Sequence, residues 1–375
     1  MEEKEKNYED KIKKLVGKIK DIEKKSLYDW EKSDEILSLL REECLFLHED
    51  YIDGYANFSE KATLDFNHAF LKFDLSNVEV LPTKFYPIFA NSFGPFNPKA
   101  FFDPDPDNIK ILWLLKESYI SKDSWIKKGD RGGHDQAKEY NKWENIKGTN
   151  DTKERVVKIT KKILSIIDKK STIDKVDWEA DSDETYQKVM DHICILEVQH
   201  FPGLNFLGVE TDDQTKYGKF RVWAELNKPL YETLIKFYSP TIIIGGYTLP
   251  YLFPYIDEKD NLWMLCRKKH GKDRFVQIEE KVKNSADDLK LLNKNIIAYF
   301  HNDNKKYPEE IEYPGDNRHQ AYLDDKGIIY VDAYHPAPKY GIGKDYEYTD
   351  EKAKIDAVRI NLLTKYYEEN KKKIK

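Results

Sequence analysis

The sequence predicts an α/β fold: a four-stranded parallel sheet sandwiched by helices, with a helical extension before it and a long insertion ahead of the last core strand. Three observations carry this expectation. First, "IKILWLLKES" at 109–118, "HICILEVQ" at 192–199, "PTIIIGGY" at 240–247 and "GIIYVDAY" at 327–334 are apolar runs of strand length. They do not alternate with polar residues, as expected of strands covered on both faces in a parallel sheet. Second, helical patterns lie between these runs. "KERVVKITKKILSIIDKK" precedes the second strand, "KPLYETLIKFY" precedes the third with Tyr231, Leu234, Ile235 and Tyr238 on one face, and "EKAKIDAVRINLLTKYYEE" follows the fourth. Third, turn residues punctuate the connections, as in "NSFGPFNPKAFFDPDPDN" ahead of the first strand. Strands alternating with helices give a doubly wound layout with right-handed crossovers.

The organisation outside the core follows the same reading. Residues 1–80 form the helical extension and 81–375 the α/β domain. In the extension, Tyr8, Ile12, Leu15, Ile19 and Ile22 recur at spacings of three and four, one apolar stripe on a charged helix. "DEILSLLREECLFLHEDYI" reads as a second helix. These helices either cap the main domain or offer a surface for a protein partner or self-association. The segment from 255 to 325 mixes short strand-like runs ("LWMLCRKK", "RFVQI", "NIIAYF") with charged loops and reads as an insertion between the third and fourth core strands.

Composition narrows the function classes. The net charge of −6 argues against a generally basic nucleic-acid coat but leaves room for a local basic groove. The three cysteines, Cys44, Cys194 and Cys266, are too few and too scattered for a disulfide framework, a CxxC metal site or a four-cysteine cluster. No metal or other cofactor is expected. The first ten residues, "MEEKEKNYED", do not form a secretory signal, and no run reaches membrane-spanning length. A soluble cytoplasmic protein without a membrane segment is the expectation.

The strand ends carry the chemistry. They read "KESY" at 116–119, "EVQHFPG" at 197–203, "GGYT" at 245–248 and "YHPAPKYG" at 334–341. In an open α/β sheet, ligands bind beyond the carboxyl ends of the parallel strands. A proline after the fourth strand serves simply to stop it, or it fixes His335 towards a ligand. At these residues the chain resembles the uracil-DNA glycosylase superfamily. "ILWLLKESY" corresponds to the family's first motif and "YVDAYHPAP" to its late His-Pro motif. "LIKFYSPTIIIGGYTL" resembles its helix, proline, strand and glycine, and "ICILEVQHFPG" takes the second-strand position. The resemblance covers roughly 109–130, 190–250 and 325–370 and leaves the N-terminal helices and the insertion unexplained. Two departures stand out: Leu115 or Lys116 replaces the glycine of the first motif, and Glu197 or Gln199 stands where relatives carry a base-reading Asn.

The resemblance implies a DNA glycosylase that flips a base and hydrolyses its N-glycosidic bond, with Glu117 and His335 as catalytic residues. Such a reaction builds positive charge on the sugar and negative charge on the departing base. A carboxylate stabilises the former and orients water, and an imidazole donor stabilises the latter. Tyr119, Trp125 and Phe201 are candidate stacking walls for an extruded base. Glu197, Gln199 and His200 are candidate readers of its edge, and Glu197 suits an exocyclic amine better than uracil. Asp130, Arg131 and His134 lie in a Gly-rich loop after the first motif and are candidates for sugar, base or phosphate contacts, against an ordinary surface loop. DNA also needs phosphate contacts. "RKKHGKDR" at 267–274, with Lys268 and Lys269, forms a local basic patch. Lys339 and Lys344 flank Tyr340 and Ile342, which suit a wedge into the duplex. The altered motifs favour a modified base, such as a bulky modified cytosine in phage DNA, over routine uracil repair. Some glycosylases of this broad kind act in bacterial antiviral defence. Two other classes remain open: a catalytically inactive glycosylase-like protein that binds nucleic acid or a partner, and a hydrolase of free nucleosides or nucleotides.

Overall fold

The computed structural model describes residues 2–43, 45–47, 87–89, 93–105, 107–115, 119–120, 136–149, 151–167, 176–198, 203–204, 227–246, 248–249, 296–300, 321–324, 326–333, 336 and 348–374. In chain order, α1 (Glu2–Glu23) and α2 (Asp29–Glu43) come first, then the short strands β1 (Leu45–Leu47) and β2 (Pro87–Phe89). The single-turn helix α3 (Pro98–Phe101) precedes β3 (Ile111–Leu115) and β4 (Tyr119–Ile120). Three helices follow, α4 (Gln136–Glu139), α5 (Trp143–Ile146) and α6 (Thr152–Ile167), and then α7 (Asp183–Met190) leads into β5 (Ile193–Glu197) and β6 (Gly203–Leu204). A helix over 227–238, α8, leads into β7 (Ile242–Gly246). The chain closes with β8 (Ile296–Phe300), β9 (Ala321–Asp324), β10 (Ile329–Ala333) and α9 (Asp350–Ile374). No helix among the described residues is long and apolar enough to cross a membrane.

Two compact units result. One comprises residues 1–94, 116–139 and 196–238, and the other 95–115, 140–195 and 239–375. In the first unit, α1 packs on α2. The sequence stripe is the buried face of α1: Ile12, Leu15, Ile19 and Ile22 are buried, as are Ile36, Leu37 and Leu40 of α2. The second helix is shorter than its apolar pattern predicts. It stops at Glu43, and Leu45–Leu47 instead pairs antiparallel with Pro87–Phe89, Leu45 opposite Phe89. Helical periodicity cannot reveal a strand whose partner lies far along the chain. The first unit also holds the parallel pair β4 and β6, with Tyr119 opposite Gly203.

The second unit is built on a six-stranded sheet in the order β5-β3-β7-β10-β9-β8. The four expected core strands are all present, and every residue of β3, β5 and β7 is buried. β3 and β10 both run parallel to β7. The sheet is nevertheless mixed, which corrects the expectation of four parallel strands alone. β9 pairs antiparallel with β10, and β8 antiparallel with β9. Both added strands come from the 255–325 segment. β8 lies within the strand-like run "NIIAYF" read from the sequence, whereas β9, with Asp324 at its end, carries a shorter apolar signal and was not expected.

Local chemistry fixes the element ends. Pro98 opens α3, and the Asn97 side chain accepts from the Ala100 N–H. Asp151 caps α6 by accepting from the Lys153 and Glu154 N–H groups at 2.8 and 3.0 Å. Ser182 does the same for α7 through the Thr185 N–H. α6 and α9 pack on each other, and α9 runs beside β8, β9 and β10. The buried Trp113 indole donates to Thr160 Oγ1 at 3.0 Å, tying the middle of β3 to α6.

The connection from β9 to β10 depends on one carboxylate and one glycine. Asp324 Oδ1 accepts from the Lys326 and Ile328 N–H groups, while Oδ2 accepts from the Tyr330 hydroxyl. Gly327 has φ of +89°, and a Cβ there would meet the Tyr367 ring of α9 at 2.7 Å. Strain and collision coincide, so Gly327→Ala is expected to lower stability in urea unfolding by about 1–3 kcal/mol. Gly17, exposed on α1 with nothing within 4 Å of an added Cβ, is the control. Gly17→Ala is expected to raise stability by up to about 1 kcal/mol.

Candidate active site at the carboxyl edge of the sheet

Strand order locates the edge where a ligand site belongs. From β3 the chain passes to β5 on one side, then returns to β7 on the other. The order therefore reverses between β3 and β7, and in open α/β sheets the crevice beyond such a switch point holds the ligand. The registers put three strand ends at one level. Leu114 of β3 and Asp332 of β10 both stand opposite Gly245 of β7, and Ala333 stands opposite Gly246. β3 and β10 are thus two strand spacings apart, roughly 10 Å. Glu117 follows Leu115 by two residues in the chain, and His335 follows Ala333 by two.

The chain beyond β7 folds back tightly at this edge. Thr248 and Leu249 are fully buried, and Thr248 Oγ1 donates to the Leu114 carbonyl at 2.7 Å. That bond ties the exit of β7 to the end of β3. Gly245 makes the return possible: a Cβ there would lie 2.4 Å from Leu249 Cγ and 2.9 Å from the Leu249 backbone nitrogen. On the far side of β7, Arg155 of α6 donates through Nη1 to the Pro336 carbonyl at 3.4 Å. Pro336 is buried, and Arg155 is half-buried. The first turn of α6 therefore reaches the His-Pro segment directly.

A buried polar cluster stands where the last helix begins. The Tyr348 hydroxyl donates to Asp356 Oδ2 at 2.6 Å, and Arg359 Nη1 donates to Oδ1 at 3.3 Å. Lys352, Asp356 and Arg359 are all buried. Burial pushes the Asp356 carboxyl up to about 6, against the opposing pull of Arg359, the Tyr348 hydroxyl and Lys352. The Tyr348 ring meets Trp113 of β3 edge-on, with centroids 6.0 Å apart. The cluster thus joins the start of α9 to the core strand that leads to Glu117.

Of the residues singled out in the sequence, Glu197 is described in full. It ends β5 with its side chain buried, and its backbone carbonyl accepts from the hydroxyl of Tyr231 on α8. Tyr119 is placed by its backbone alone: the β4–β6 pair sets it opposite Gly203, so the segments that follow Glu117 and Phe201 in sequence run side by side. Glu117, Trp125, Asp130, Arg131, His134, Gln199, His200, Phe201, Lys268, Lys269, His335, Lys339, Tyr340, Ile342 and Lys344 lie outside the described residues.

Sequence reasoning missed Arg155, Thr248 and the Tyr348–Asp356–Arg359 cluster. Arg155 and Asp356 looked like ordinary polar positions of amphipathic helices. Thr248 follows the third strand within "GGYT", but a threonine there carries no signal of its bond to a neighbouring strand. No protein-family model matches this chain, and no curated protein or solved structure matches it significantly.

The Asp356 carboxyl gives a pH dependence of definite sign. Its folded value, about 6, lies above the ordinary 3.8, so between these values the folded chain keeps a proton that the unfolded chain has released. This contribution to stability is fully present below about pH 4 and is lost as pH rises through about 6. Asp356→Asn cannot lose it. Any deficit of the variant in urea unfolding should therefore be largest near pH 4 and narrow by roughly 1–3 kcal/mol at pH 7. A deficit that stays constant or widens over that range would contradict the assignment.

Proposed function

We propose that the protein is a DNA glycosylase of uracil-DNA glycosylase-like fold that excises a modified base and leaves an abasic site. The observation that carries this reading is the common level of the β3 and β10 ends on either side of β7, because Glu117 and His335 each follow one of those ends by two residues. A carboxylate and an imidazole supplied from two strands about 10 Å apart can flank a sugar–base unit. Glu117 then stabilises the oxocarbenium character of the sugar and orients water. The glycosidic electron pair leaves with the base, His335 donates a hydrogen bond to the base as charge builds, and water supplies the new hydroxyl on the sugar.

The remaining roles follow from the same reading. Tyr119, Trp125 and Phe201 stack the extruded base, and Glu197, Gln199 and His200 read its edge. A buried carboxylate at Glu197 accepts from an exocyclic amine, which favours a modified cytosine or adenine over uracil. Because the chain is acidic overall, phosphate contacts fall to local groups: Lys268, Lys269, Lys339 and Lys344. Tyr340 and Ile342 fill the gap that a flipped base leaves in the stack.

The test is a set of duplexes that carry different modified bases, incubated with purified protein and then cleaved with alkali at abasic sites. At least one duplex is expected to be cut. Glu117→Gln and His335→Ala should each slow excision at least about a hundredfold while leaving thermal unfolding unchanged. Binding without any abasic product would favour an inactive nucleic-acid-binding protein. Activity on free nucleosides, independent of polymer length, would favour a small-molecule hydrolase.

A further inference from the structure

The His-Pro segment has an anchor outside its own strand. Asp151 fixes the first turn of α6 by accepting from two of its N–H groups. The face of α6 that carries Val156, Val157, Ile159 and Thr160 is buried, and Thr160 is bonded to Trp113 of β3. Arg155 therefore projects from a turn that is locked both to its own cap and to the sheet. Its guanidinium donates to the carbonyl of Pro336, the residue next to His335. Proline has a fixed φ and no N–H, so it cannot hold itself to neighbouring backbone by donating. Its carbonyl is the polar backbone group by which Pro336 can be fixed.

We propose that Arg155 is a positioning residue that holds Pro336, the residue after His335, through its carbonyl; its catalytic consequence, though not the anchoring itself, rests on the glycosylase reading. Arg155 does not touch substrate in this role. It fixes the backbone from which His335 reaches the departing base, and misplacing such a group by about 1 Å can reduce the rate a hundredfold.

The test has two arms. In the first, amide hydrogen exchange is followed in the full chain for peptides that cover 334–340. Arg155→Met should speed exchange there at least about tenfold while peptides covering 111–115 and 242–246 keep parental rates. Equal exchange in parent and variant would overturn the anchoring. If Arg155→Met does not fold, Arg155→Lys, which keeps the charge but loses the planar fork, carries the comparison. In the second arm, Arg155→Met should lower kcat at least about tenfold with KM within about twofold, and Arg155→Lys should restore part of the loss. Combined with His335→Ala, it should cost little more than His335→Ala alone, since it acts through that residue. Full additivity would overturn the positioning role. A parent protein that excises no base would instead defeat the glycosylase reading, and the exchange arm would still decide whether Arg155 holds Pro336.

Discussion

The parallel register of β3, β7 and β10 is the constraint on which the rest depends. Strands whose residues are all buried can satisfy their backbone groups only by pairing with one another. Once Leu114 and Asp332 are both set opposite Gly245, the three strands must end together. The proposed function rests on that shared level. The return of the chain after β7 reinforces it, because Thr248 bonds the Leu114 carbonyl and Leu249 fills the space that a side chain at 245 would take.

A second layer of interactions transmits the sheet geometry to the helices. Trp113 is bonded to Thr160 on α6 and faces Tyr348 ahead of α9, and Tyr348 in turn bonds Asp356. The arrangement places two cations, Lys352 and Arg359, around one buried carboxyl. Burying charge is expensive, and such a cluster persists only with its partners in place. Its effect is to tie the first turns of α9 to β3 through Tyr348 and Trp113. Arg155 bonds the Pro336 carbonyl from α6.

The sequence made the core legible because burial on both faces leaves a continuous apolar run. Ile111–Leu115, Ile193–Glu197, Ile242–Gly246 and Ile329–Ala333 were all found in this way. The stripe on α1 was equally plain, since Ile12, Leu15, Ile19 and Ile22 repeat with the helical period and are buried as that period requires. What escaped were features that depend on distant partners. The β1–β2 pair, the strand β9 and its antiparallel pairing with β8, and the bond from Arg155 to Pro336 across 181 positions of chain leave no periodic trace. For the candidate site, the strand ends could be read from hydrophobic pattern alone. Their order in the sheet could not, because pattern gives the strands and pairing gives their neighbours.

The proposed function requires residues 117 and 335 to share one edge of the sheet. It is tested most directly by spin labels on cysteines introduced at these two positions, in a chain whose Cys44 and Cys266 have been replaced by serine. Cys194 is buried and remains. The expected result is strong dipolar broadening, as follows from attachment points about two strand spacings apart, roughly 10 Å. A doubly labelled spectrum equal to the sum of the two singly labelled spectra would place the residues far apart and contradict the claim.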